Sequence, residues 1–185
     1  MRALRTRILL VPVTLVCCVA ALGVGGQTSD IDKILSLFPG YHLLALSERT
    51  AETKAFIHQH LPKDNPSVVH ADFDGDGHPD YAVLLRSNKS GATKLVVLLC
   101  SADQNCKSVF DREVTTSSSS PGELYLRPVP PGSVVSQTDA IDTKSYPAPE
   151  RLNSTGIEVN YFGKATVVYY WNRKHKKIEA VQTED

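Results

Sequence analysis

Asp72-Phe-Asp-Gly-Asp-Gly-His-Pro-Asp80 sets four carboxylates within nine residues, with glycines at 75 and 77. Like charges this close repel at neutral pH unless a cation sits among them. Calcium suits such a loop, because it takes six to eight hard oxygen ligands at roughly 2.3–2.6 Å in a flexible cage. Alternate positions direct Asp72, Asp74 and Asp76 toward one centre. The backbone carbonyl of His78 and the carboxylate of Asp80 complete the expected set. Gly77 falls where the sharp turn needs a positive φ. On either side stand apolar runs, Val68-Val69 before and Tyr81-Ala-Val-Leu-Leu85 after. The stretch therefore reads as the turn of a β-hairpin with an ion in it. Tyr81–Leu85 shows no polar alternation, which predicts a central strand covered on both faces.

The pattern Asp72-x-Asp-x-Asp-Gly-x-x-Asp80, followed by the run from Tyr81, resembles the calcium loop of integrin-type FG-GAP repeats and of bacterial VCBS-like repeats. The resemblance spans about residues 68–86. It implies a calcium loop joining two antiparallel strands, with Asp72, Asp74, Asp76, His78 (carbonyl) and Asp80 as ligands. An EF-hand is a poorer match, because its position 12 calls for a bidentate Glu and Val83 stands there. The loop occurs once, so a multi-bladed propeller and its binding roles do not carry over.

Working outward to the N-terminus, Met1–Gly26 reads as a signal peptide. Arg2, Arg5 and Arg7 precede an apolar run from Ile8 to Leu22, and small residues follow. The run is short for a membrane span, so no stable span is expected after cleavage. The rest, 27–185, is long enough for a single domain with its own core. The whole chain carries 20 basic and 20 acidic side chains. Losing those three arginines leaves a charge of −3, which argues against a nucleic-acid partner. Export also leaves Cys100 and Cys106 as the two cysteines. An even pair in an oxidising compartment predicts a disulfide, here stapling a hairpin.

Ile31, Ile34, Leu35, Leu37 and Phe38 recur at helical spacing behind a Ser29-Asp30 cap, and Pro39-Gly40 ends that helix. Ser47 or Thr50 caps a second helix to about His60, with Ala51, Ala55, Ile57 or Phe56, and Leu61 on its buried side. Strands follow at 81–86, 94–100 and 105–110. Leu124–Leu126 reads as an edge strand, since prolines lie next to it. Thr115–Gly122 and Ser133–Asn153 read as irregular loops. Ile157–Tyr161, Ala165–Trp171 and Ile178–Thr183 form a three-stranded meander. The fold class expected is α+β: N-terminal helices packed on one face of an antiparallel sheet of about seven strands.

Three kinds of function fit an exported calcium-binding domain. The first is a non-enzymatic binding or adhesion module for a protein or envelope-surface partner. The second is an inhibitor of an extracellular enzyme working through its irregular loops. The third is a hydrolase, for which no nucleophile elbow or Cys–His pair is present. Arg173-Lys-His-Lys-Lys177 forms a basic hairpin tip, read either as a patch for an anionic partner or as a solvated turn. Asn88-Lys-Ser90 and Asn153-Ser-Thr155 match the glycosylation sequon. The expected site of action is secreted or periplasmic.

Overall fold

The computed structural model describes residues 26–115, 120–136 and 151–184. The signal-peptide reading of Met1–Gly26 therefore falls almost wholly outside the described residues. So do the centres of the Thr115–Gly122 and Ser133–Asn153 loops. No described helix is long and apolar enough to cross a membrane.

The protein is mostly β, with two α-helices: α1 (Gly26–Ser36) and α2 (Ala51–His60). Its strands are β1 (Tyr41–Leu43), β2 (Val68–Ala71), β3 (Asp80–Ser87), β4 (Thr93–Cys100) and β5 (Cys106–Glu113), then β6 (Leu124–Val129), β7 (Gly156–Tyr161), β8 (Ala165–Asn172) and β9 (Lys177–Glu184). The single sheet of about seven strands is corrected. The strands divide into two antiparallel sheets, one of five strands (β1 to β5) and one of four (β6-β7-β8-β9). The expected C-terminal meander is present as β7, β8 and β9, and β6 extends it along one edge.

The division follows from which face each apolar residue takes. In a strand, successive side chains point to opposite faces. Ala82, Leu84, Leu95 and Val97 of the first sheet meet Leu124, Leu126, Ile157, Val159, Tyr169 and Ile178 of the second in one core. The alternate residues of the first sheet, Tyr81, Val83, Leu85, Val96 and Leu98, face outward and are covered by Ile34 and its neighbours on α1. That is why Tyr81–Leu85 shows no polar alternation: each of its faces meets an apolar layer.

The expected placement of both helices on one face is corrected too. α2 packs Ile57 and Leu61 against Tyr125, with Phe56 and Phe162 beside them, on the outer side of the second sheet. Thr50 is its cap, its hydroxyl accepting from the Thr53 N–H at 3.2 Å. Ala51 and Ala55 are exposed, and the buried position goes to Thr53. α1 begins before Ser29-Asp30, so Asp30 is no cap; it pairs with Lys33 and accepts from the Tyr81 hydroxyl.

β1 and β2 both pair with the same edge of β3, β1 opposite Leu85–Ser87 and β2 opposite Asp80–Val83. Between them the Leu44 N–H donates to the Leu84 carbonyl, and the Leu84 N–H donates to the Ser67 carbonyl. The chain leaves this edge after Leu44, makes a 3₁₀ turn at Leu46–Glu48 and α2, and returns at Ser67. Arg49 fills the gap so left. It is 3% exposed, and its guanidinium donates to the carbonyls of Leu124 (2.8 Å), Leu44 (3.2 Å) and Pro66 (3.1 Å) and to the Ser67 hydroxyl (2.6 Å). These acceptors belong to both sheets, so one buried cation ties them together.

Candidate metal centre

The loop between β2 and β3 is anchored from inside. Phe73, flanked by Asp72 and Asp74, is fully buried in the core shared by the two sheets. With Phe73 directed inward, its two acidic neighbours turn toward the loop centre. Asp80 opens β3 and is fully buried as well. One of its oxygens accepts from the Phe73 N–H and the other from the Cys100 N–H, each at 2.8 Å.

The structure brings Asp72, Asp74 and Asp80 together: one carboxylate oxygen from each lies within 4.8 Å of the others. Asp76 is exposed and accepts from the His78 N–H at 2.8 Å, outside that cluster. Asp72 accepts from the N–H groups of Gly75 (2.6 Å) and Gly77 (2.9 Å), and Asp74 from that of Asp76 (3.1 Å). These bonds hold the carboxylates in place, while each oxygen keeps a second lone pair. Gly75 and Gly77 have φ of +78° and +89°, the left-handed conformation that glycine adopts at no steric cost.

The charges are held at some expense. Burial pushes the Asp80 carboxyl up to about 6; the Cys100 and Phe73 N–H groups pull it down, and Asp74 and Asp76 add repulsion. Burial also raises Asp74, helped by Asp76 and Asp72 and opposed by the Asp76 N–H and by Arg173. A divalent cation reverses the sign of this local field, because the carboxylates then surround their counter-charge. All three donors are carboxylate oxygens, the set that hard cations prefer.

Three contacts escaped the sequence reading, and all come from segments flanking the strands of the second sheet. The Ser154 hydroxyl donates to the Phe73 carbonyl, and the Thr155 N–H donates to the Asp72 carbonyl at 3.3 Å. Arg173, on the turn between β8 and β9, donates through Nε to the Asp74 carbonyl at 3.2 Å. Its guanidinium lies so close to Gly75 that a Cβ there would sit 1.8 Å from a terminal nitrogen. Chain separation hides such partners from any local pattern.

The expected disulfide joins Cys100 to Cys106 at the turn end of the β4–β5 hairpin. A seven-residue closure contributes about 2 kcal/mol in the loop-entropy treatment. Its position beside the metal loop matters more, since the Cys100 N–H is a ligand of Asp80. A disulfide and the absence of a membrane-crossing helix among the described residues are compatible with an extracellular or periplasmic setting. His70 is exposed and stacks on Tyr81 at 4.4 Å, and no described histidine joins the acidic cluster. Asn88 and Asn153, the two sequon residues, are both exposed. No protein-family model, no curated protein and no solved structure matches the chain.

Proposed function

We propose that this is an exported domain that holds one calcium ion in the Asp72–Asp80 loop and serves as a non-enzymatic binding or adhesion module. The observation that carries the reading is the convergence of carboxylate oxygens from Asp72, Asp74 and Asp80 within 4.8 Å. Calcium is favoured over magnesium on two grounds. Magnesium demands near-ideal octahedral geometry and gives up its water reluctantly, whereas calcium accepts irregular oxygen cages. The loop has just such an irregular path, with two left-handed glycines. The likeness to FG-GAP and VCBS-like loops points the same way.

Calcium is a weaker Lewis acid than the zinc of hydrolases, so the role assigned to it is structural. Bound, it would hold β2, β3 and the partners of Asp80 in one arrangement. Extracellular calcium modules bind with Kd of roughly 10⁻⁴–10⁻³ M. At a tenfold excess over Kd, binding would add about 1.4 kcal/mol to stability. Titration calorimetry with calcium and with magnesium, paired with melting curves in calcium and in chelator, tests this. Saturable heat with calcium and a raised Tm are expected. No heat and no change in Tm at millimolar calcium would remove the reading.

A further inference from the structure

We infer that the β8–β9 tip and the acidic loop beside it form one docking surface for a carboxylated polysaccharide, a polyuronate. The inference takes its calcium dependence from the reading above, but its cationic half stands without it.

Arg173, Lys174, His175, Lys176 and Lys177 are all exposed at the end of one hairpin. Among the described residues the carboxylate in close ion pairs with them is Glu179, which pairs with His175 at 2.7 Å and Lys177 at 3.3 Å. No close ion pair among the described residues involves Arg173, Lys174 or Lys176. Arg173 spends its Nε on a backbone carbonyl of the acidic loop instead, and so fixes tip and loop to each other. Several exposed cations in succession on one turn suit an extended polyanion more than a small anion.

The neighbourhood narrows the partner. The exposed large apolar residues among those described are Leu37 and Val134, neither of them on the tip. Stable seating in a bilayer wants apolar insertion alongside charge, so a soluble polymer is favoured over a lipid surface. The acidic loop then sets a condition. Arg173 meets the loop that carries Asp72, Asp74, Asp76 and Asp80, touching it at the Asp74 carbonyl and at Gly75. Lys174, Lys176 and Lys177 follow it on the same hairpin tip, so the formal charges of tip and loop balance. A divalent ion in the loop adds two positive charges and leaves the surface attractive to anions. Calcium also keeps coordination places for outside oxygen ligands, and carboxylates on the polymer fit those places.

The test is calorimetry of the full chain with short oligogalacturonides as the probe, in calcium and in chelator. Phosphatidylglycerol vesicles serve as the competing surface, and Lys174→Glu/Lys176→Glu as the variant. The expected result is binding in calcium that weakens at least tenfold in chelator and at least tenfold in the variant, whose calcium heat and circular dichroism match the parent. Absence of binding, equal binding by the variant, or preference for the vesicles overturns the docking surface. Binding indifferent to chelator, with calcium heat present, overturns the coupling to the metal. If calcium heat itself is missing, the metal reading falls, and oligogalacturonide binding that charge reversal abolishes still upholds the tip.

Discussion

Arg49 and Asp80 are both buried ionisable groups, and both bond mainly to backbone. Yet they describe opposite situations. Arg49 distributes its donors over three carbonyls and a hydroxyl. Burial lowers its pKa to about 10, partly offset by Glu48, and the group stays charged at neutral pH. Asp80 also has both oxygens engaged. It differs in its company, for the carboxylates gathered around it, Asp72 and Asp74, carry its own sign, and Asp74 and Asp76 add repulsion. A buried charge whose surroundings satisfy it is a tie within the fold. A buried charge set among like charges is a place where a cation would be stabilised.

The comparison breaks most visibly when each group is removed. Arg49→Met takes a donor from four acceptors, of which the Pro66 and Leu44 carbonyls keep bonds from the Leu126 N–H and the Ser67 hydroxyl. Asp80→Ala takes the acceptor from two buried N–H groups. Each is expected to cost about 3–5 kcal/mol in urea unfolding. The two should part in calcium. Arg49→Met keeps the calcium-induced rise in Tm and Asp80→Ala loses it. Equal rises in both would put Asp80 among the structural ties.

Asp74→Ala should be milder. Asp74 is half-buried and its carboxylate accepts from the Asp76 N–H. Stability in chelator is expected to change by less than about 1 kcal/mol, while the calcium-dependent gain, about 1.4 kcal/mol at tenfold excess, disappears. A full calcium shift in this variant would show that the ligands have been assigned wrongly.

Glu179 sharpens the contrast by a smaller effect, as a carboxylate whose cations the chain itself provides. Burial would raise it, but bonds from His175, Asn172, Lys177 and Tyr170 outweigh that and hold it at about 2, below its ordinary 4.5. Its stabilisation is therefore complete above pH 4.5 and is lost as pH falls from there through about 2. Glu179→Gln should melt lower than the parent at neutral pH, by a few degrees at most, and the two Tm curves should converge toward pH 2. Parallel curves across that range would deny Glu179 this part.

Much of the metal loop was legible because its determinants are local. Carboxylates at alternate positions and glycine at the turn are set by neighbours in sequence. The paired cysteines and the meander from Ile157 to Thr183 were legible for the same reason. The division into two sheets was not. Tyr81–Leu85 announces two covered faces, but nothing within it says that one cover is α1 and the other is Leu126, Ile157 and their sheet. Arg49 sits in a polar stretch, Ser47-Glu-Arg-Thr50, that reads as a helix cap, so its burial leaves no local trace. Arg173 and Ser154 reach the loop from distant parts of the chain, and composition alone shows Arg173 as part of a solvated tip.

One consequence follows from how β1 and β2 share an edge of β3. Leu44 and Ser67 both meet Leu84, so the two short strands amount to one interrupted strand, with Ala45–Pro66 as an insert. That insert is the segment that crosses over to cover the far layer through α2. It works as a strap looped out of one wall and fastened to the other, with Arg49 as its buckle. Without the strap the edge could run as one unbroken strand, and the outer wall at Tyr125 would lose the cover of Phe56, Ile57 and Leu61.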